Sequence, residues 1–384
     1  MKRRILRTLV WLMICIMMLA GCGGRPQTQT IIIPDTDESQ NSGRQTGPFE
    51  VQKIYRIELA AKGGLIGWSG ADALLGYFSG PGGSQSFQEI KPPYDNLLQV
   101  LEVDPKQFVF DLSPDGQRIT AIEENDGKYE LKLLSLADGT EQRLSTFDPS
   151  QLTSKWFTWS DNSRYLSFAS FTTQPESKGQ SDIVVYDVQN GTQATYLVPI
   201  PEGSRAELYS SVHVADDGNS VFLLNQRMDE TWIVVGTWKD GVFTAQYKHE
   251  LIGDGQAAWM NDDQVAFLGR DGTLYTYDLR NEAVTVLLDS AFSFKLSGDH
   301  QYVAYSKGDG TLFAGKLQGN NVLNAKPIYQ GILPSQMAWS PDNRRLLIFG
   351  GRSLLKGKPE PVEVQNPETS LQSAEWLPFI IEFK

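Results

Sequence analysis

Cysteine is nearly absent from this 384-residue chain: it has two, Cys15 and Cys22, both close to the N-terminus. A disulfide-stapled fold is thereby excluded, and stability has to come from burial, which a chain of this length can supply. Histidine is almost as scarce. His213, His249 and His300 are the whole supply, and no two stand at metal-ligand spacing, so the sequence predicts no metal and no cofactor. Basic residues are in deficit, 34 Lys+Arg against 46 Asp+Glu, for a formal charge of -12. Such a balance repels phosphate backbones and excludes nucleic acid as a partner. The longest apolar run, residues 9–20, is too short for a bilayer that needs roughly 20 residues. No long amphipathic helical stretch follows it.

Catalytic motifs are missing as well. Gly67-Trp68-Ser69-Gly70-Ala71 departs from a Gly-x-Ser-x-Gly elbow at its last position. The Gly-rich segment 79–84 has no lysine after it and no helix to bind phosphate, and reads as a connection between strands. Asp35-Thr36-Asp37-Glu38-Ser39 lacks the Gly and the distal Glu of a calcium loop. No catalytic residue is assigned from sequence.

What is present begins with a targeting segment. Lys2, Arg3, Arg4 and Arg7 precede the apolar run, which ends in Leu19-Ala20-Gly21-Cys22. This resembles the lipobox of bacterial lipoprotein signal peptides. The resemblance implies a signal peptide over 1–21, cleavage before Cys22, and a lipid on its sulfur. Loss of that segment leaves 30 basic against 46 acidic residues, a formal charge of -16. Residues 22–48 then comprise the lipidated cysteine and a tether rich in Gly, Gln, Thr, Ser and Pro, whose roughly 26 flexible residues reach about 30 Å.

From residue 49 to 384 one phrase recurs seven times: a large apolar residue, a small one, an acidic turn and an apolar strand. Trp339-Ser340-Pro341-Asp342-Asn343 shows it most fully, and Leu112-Ser113-Pro114-Asp115-Gly116 repeats it. The second residues stand at 69, 113, 160, 215, 260, 297 and 340, spacings of 44, 47, 55, 45, 37 and 43. A period of this size predicts an all-β chain, a seven-bladed β-propeller of four-stranded antiparallel blades. In the third unit the strands fall at 156–159, 165–169, 183–188 and 194–198. Asn190-Gly191 and Asp138-Gly139 suit the positive φ of two-residue hairpins. An unassigned strand at 51–59 is predicted to complete the last blade by pairing with 376–383.

These phrases, with Val185-Tyr186-Asp187-Val188 and Tyr275-Thr276-Tyr277-Asp278-Leu279, resemble the TolB-like or WD-type propellers of bacterial envelopes. The chain departs from TolB proper, an unlipidated protein with a separate α/β domain before a six-bladed propeller. Partnership with a Tol-Pal type system is therefore not carried over.

Asp115, Asp161, Asp217, Asp262, Asp299 and Asp342 would form an acidic ring. Asp caps its own turn, however, and hairpins spaced around the rim are expected to be too distant to share an ion. Trp68, Trp159, Trp259 and Trp339 are assigned to packing between blades. His213, on a first strand, can face the channel but is read as a packed side chain. The remaining candidates are the long connections 79–94, 171–180, 199–209 and 350–363. They carry Phe87, Tyr94, Arg205, Tyr209, Arg352 and Lys356 as a binding face.

The sequence thus predicts a monomeric, non-enzymatic binding scaffold, lipid-anchored through Cys22 on the extracytoplasmic face of the cell membrane. Its partner would be an envelope protein or polymer. The alternatives are a glycan lyase or hydrolase with its site in the central channel, or a ligand-sensing envelope component.

Overall fold

The computed structural model describes residues 49–80, 83–148, 157–171, 181–199, 209–227, 230–253, 255–352 and 378–384. Signal peptide, Cys22 and tether lie outside them. The described residues are strand almost throughout, with one 3-10 turn at Glu58–Lys62.

Four-stranded antiparallel meanders follow one another along the chain. The first is β2 to β5 (Gly63–Trp68, Leu74–Ser79, Gln85–Ile90, Leu97–Glu102) and the second β6 to β9 (Gln107–Leu112, Arg118–Asn125, Lys128–Ser135, Glu141–Phe147). Next come β10 to β13 (Thr158–Trp159, Tyr165–Phe171, Ser181–Asp187, Thr192–Val198) and β14 to β17 (Tyr209–Val214, Ser220–Arg227, Glu230–Lys239, Val242–Leu251). These two form one eight-stranded sheet, joined by a single parallel pairing of Leu197 with Val242. Then follow β18 to β21 (Ala257–Asn261, Gln264–Leu268, Leu274–Asp278, Ala283–Leu288) and β22 to β25 (Ser293–Leu296, Tyr302–Ser306, Thr311–Gln318, Asn321–Gln330). The arrangement is propeller-like: five four-stranded sheets and one of eight strands.

The last sheet joins the two ends of the described chain. Its order is β1 (Val51–Arg56), β28 (Phe379–Phe383), β27 (Arg345–Arg352), β26 (Ile332–Trp339), with Ile54 opposite Ile381 and Tyr55 opposite Ile380. The unassigned strand therefore lies where its sequence predicts. Arg345 fastens this junction, giving an ion pair to Glu382 at 2.5 Å and a hydrogen bond to the Ala71 carbonyl of the first sheet.

Alternation explains which faces are buried. All five residues of β19 are buried, as befits a strand covered on both faces, whereas the fourth strand β9 is largely exposed Glu, Gln and Arg. Apolar side chains of each meander pack against the next. Leu75 and Phe87 meet Ile119 and Leu134; Ile183 and Val185 meet Val221 and Leu223; Leu74 meets Leu347 and Ile380. There are seven such clusters among the described residues, and they follow in succession round a closed circle.

Asp240-Gly241 in the fourth unit forms a two-residue hairpin with positive φ at both residues, but the turns at Asn190-Gly191 and Asp138-Gly139 are longer. Between β12 and β13 the Gly191 N–H bonds the Asp187 carbonyl, and only Gly191 of the Asn-Gly pair takes positive φ, +66°. Asp187 supplies the reason, because its carboxylate accepts from the N–H groups of Gln189 and Asn190 and holds a wider loop.

Candidate functional site: the central channel

The repeated phrase builds the inner wall of the ring. Ser340 illustrates the chemistry: its hydroxyl donates to Asp342 Oδ1 at 2.6 Å and accepts from the Arg345 N–H at 2.9 Å. Ser113, Ser160 and Ser297 do the same with Asp115, Asn162 and Asp299. The fifth residue of the phrase turns left-handed in five units, and in the second unit it must be glycine. Gly116 has φ +71°, and a Cβ there would lie 2.8 Å from the Trp68 carbonyl oxygen of the preceding sheet.

Each tryptophan of the phrase points between sheets, and three anchor a neighbour. Trp68 donates to the Ala338 carbonyl at 3.0 Å, Trp259 to that of His213 at 3.2 Å, and Trp339 to that of Lys295 at 3.1 Å. Every acceptor sits one place before the phrase on an adjacent first strand, so strand alternation turns its side chain away from the core and toward the channel. That position is Asp111, Thr158, His213 and Lys295 in four units and Gly67, Ala258 and Ala338 in the others. Trp159 is the exception: its buried N–H has no partner among the described residues, and the Asp111 carbonyl, next to a bulge in β6, accepts from Thr120 Oγ1 of β7.

First strands from β10, β14, β18, β22 and β26 enclose a cavity of about 680 Å³, with Thr158, His213, Ala258, Lys295 and Gln336 in its wall. A narrower cavity of about 270 Å³ lies among the turns and shares Ala258 and Lys295 with the first. The wider one is neutral apart from Lys295, which is exposed to it and has no carboxylate at ion-pair distance among the described residues. His213 stacks on Phe222 with ring centroids 4.3 Å apart, and its Nε2 lies 3.0 Å from Ser211 Oγ. Burial pulls its pKa down to about 4, so it is an uncharged imidazole at neutral pH. Burial pushes the Asp111 carboxyl up to about 6, with Lys295 opposing.

The narrower cavity carries groups of both signs, Asp161 against Lys295 and His300. His300 Nε2 lies 3.1 Å from Asp161 Oδ2, joining the sixth unit to the third across the opening. This bond is the first cause of a raised His300 pKa. Asp216 accepts from the Asn162 N–H at 2.8 Å, and burial raises its pKa. The expected separation of the turns is thus corrected, since they crowd the inner rim. Asp115, Asp217, Asp299 and Asp342 cap turns as expected. Asp161 does not, because Asn162 takes the capping place and leaves Asp161 one residue earlier, at the opening.

Three of the six binding-face residues inferred from sequence are buried instead. Phe87 lies on β4 inside the 79–94 segment and is fully buried, edge-on to Phe110 at 5.0 Å. Tyr94 is 2 % exposed against Tyr55, and Tyr209 is buried at the start of β14. Large aromatics at the ends of hairpins were taken for surface groups, but they close gaps between sheets. Arg352 ends β27 opposite Ile332, and its side chain is not described; Arg205 and Lys356 lie outside the described residues.

No family model matches the chain, and no curated protein matches it. Solved structures do. It is similar to an oligogalacturonate lyase in complex with manganese at 12 % identity and TM-score 0.57, over 89 % of this chain and 94 % of that one. The oligogalacturonate lyase of Vibrio parahaemolyticus is similar at 10 % identity and TM-score 0.54, over 88 % and 96 %. A prolyl endopeptidase matches at 14 % and 0.51, over 79 % of this chain and 47 % of its own. At such identities the shared property is the propeller fold. Among the described residues no three His, Cys, Asp or Glu side chains group as metal ligands, so the donor set does not fit a manganese ion.

Proposed function

We propose that this protein is a seven-bladed β-propeller that binds a small polar ligand in its central channel, held on the extracytoplasmic face of the membrane by a lipid on Cys22. The count of seven takes the eight-stranded sheet as two blades. Ile183 and Val185 pack face to face on Val221 and Leu223, as stacked blades do, and one parallel pairing between fourth strands is their only ladder contact among the described residues. The observation that carries the binding reading is the cavity of about 680 Å³, walled by Ser, Thr, Gln, Lys and apolar groups. That size and mixture suit a small molecule.

In this reading no reaction is catalysed. A channel enzyme is the second reading, favoured by the His300–Asp161 pair and the raised carboxyl of Asp216 beside it. The neighbouring lyases keep that chemistry in view at the level of fold. To test both, small molecules released by denaturing full-length protein from its own cells would be measured by mass spectrometry, against Ala258→Leu, which fills the channel where the cavities meet. Equal release from both proteins would move the site elsewhere. Conversion of the released molecule by native protein, lost in His300→Gln, would replace binding with catalysis.

A further inference from the structure

We infer that the channel ligand carries a carboxylate, held by Lys295, on a hydroxyl-rich body. This rests on the proposed channel site and deepens it.

Charge is the first argument. The chain carries a formal charge of -12, yet no Asp or Glu lines the wider cavity. Its ionisable groups are Lys295 and His213, and His213 is neutral, so the cavity holds one fixed positive charge inside an acidic protein. The concave wall focuses the attraction of that ammonium for an anion.

Partnership is the second. Trp339 holds the Lys295 backbone through its carbonyl, but the ammonium makes no ion pair among the described residues, Asp111 acting on it only from beyond ion-pair distance, and an unpaired charge in a concave site is a binding group awaiting its counter-ion. Gln226, Ser335 and Gln336 likewise have no hydrogen-bond partner among the described residues and face the same cavity. Amides and hydroxyls offer both donors and acceptors, as a polyol requires.

Stoichiometry separates carboxylate from phosphate. A single ammonium is a point charge matched to one negative charge, and the wall offers no Arg fork and no second cation for a dianion.

Calorimetric titration of the full-length protein in detergent would test this with D-glucuronate against D-glucose, the matched trisaccharides trigalacturonate and galactotriose, and inorganic phosphate. The acid of a pair should bind at least about tenfold more tightly than its neutral partner. Lys295→Met should abolish that difference and Lys295→Arg keep most of it, both with unchanged thermal unfolding. Equal binding within the pairs, tighter binding of phosphate, indifference to Lys295→Met, or no binding of either acid would each overturn the carboxylate. The channel itself is tested apart: acid binding that survives Ala258→Leu sinks the site, whereas equal loss of acid and neutral binding there, with no preference in native protein, leaves the site and removes only the carboxylate.

Discussion

Replacing Ser340 by alanine removes one oxygen and two hydrogen bonds from the most complete copy of the phrase. Ser340 is 1 % exposed, so the space its hydroxyl leaves beside the Arg345 N–H is shut off from water. Asp342 keeps a second bond, from the Arg344 N–H at 3.1 Å, and loses little. The Arg345 N–H loses the Ser340 oxygen it points at. An unpaired N–H held out of water costs roughly 1–3 kcal/mol, and lost packing is negligible because alanine fits the space. Ser340→Ala should therefore destabilise by about 2 kcal/mol, a fall in Tm of roughly 4 °C for a chain larger than 250 residues. The fourth unit has Ala215 at this position and provides the internal comparison. There Ser220, across the turn, donates to Asp217 Oδ2 at 2.9 Å, so Ser220→Ala should cost a similar amount. Equilibrium urea unfolding followed by tryptophan fluorescence would measure both. A loss under about 0.5 kcal/mol for Ser340→Ala would mean that water replaces the hydroxyl, and the account of why the phrase recurs would be wrong.

Trp339→Phe and Trp159→Phe remove the same atoms with different results: the first strips a bond from the Lys295 carbonyl and should cost about 1–3 kcal/mol, whereas the second removes a buried N–H that has no partner and should cost less. Equal losses in urea unfolding would refute the anchoring role. Proton NMR titration should place His213 near pH 4, His249 below the ordinary 6.5 and His300 above it. Because unfolded His213 takes a proton that the folded ring refuses, stability should rise with pH between about 4 and 6.5, by at most roughly 3 kcal/mol from this residue. His300 has the opposite sign: its stabilisation by Asp161 is fully present below 6.5 and is lost as pH rises through its raised value, and Asp161→Asn should abolish that loss.

The blades were legible because their spacing and turn chemistry are local. Strands predicted at 165–169 and 194–198 in the third unit lie within Tyr165–Phe171 and Thr192–Val198, and the closing strand could be found because four meander strands were needed and three were left. The hairpins were misjudged because an Asn-Gly pair fits more than one loop, and it was the Asp187 side chain, outside the pair, that chose the longer one.

The site was harder to see, for a reason the phrase itself supplies. Aligning the seven copies directs attention to residues that agree, and agreement here reflects packing and turn formation, which every copy must satisfy. In the proposed site a channel ligand would meet the first strands of five units at once and be bound by the residues that differ: lysine in one copy, histidine in another, alanine where space is needed. The signal was available one position before each phrase, where Lys295 and His213 stand among Gly67, Ala258 and Ala338. Asp161 shows the same logic inside the phrase. Its neighbour Asn162 does the capping that aspartate does in other copies, and the displaced carboxylate becomes free to cross to His300. In a ring of repeats, what breaks the symmetry is where a specific function can be built, and among the described residues Lys295, His213 and Asp161 break it at the channel.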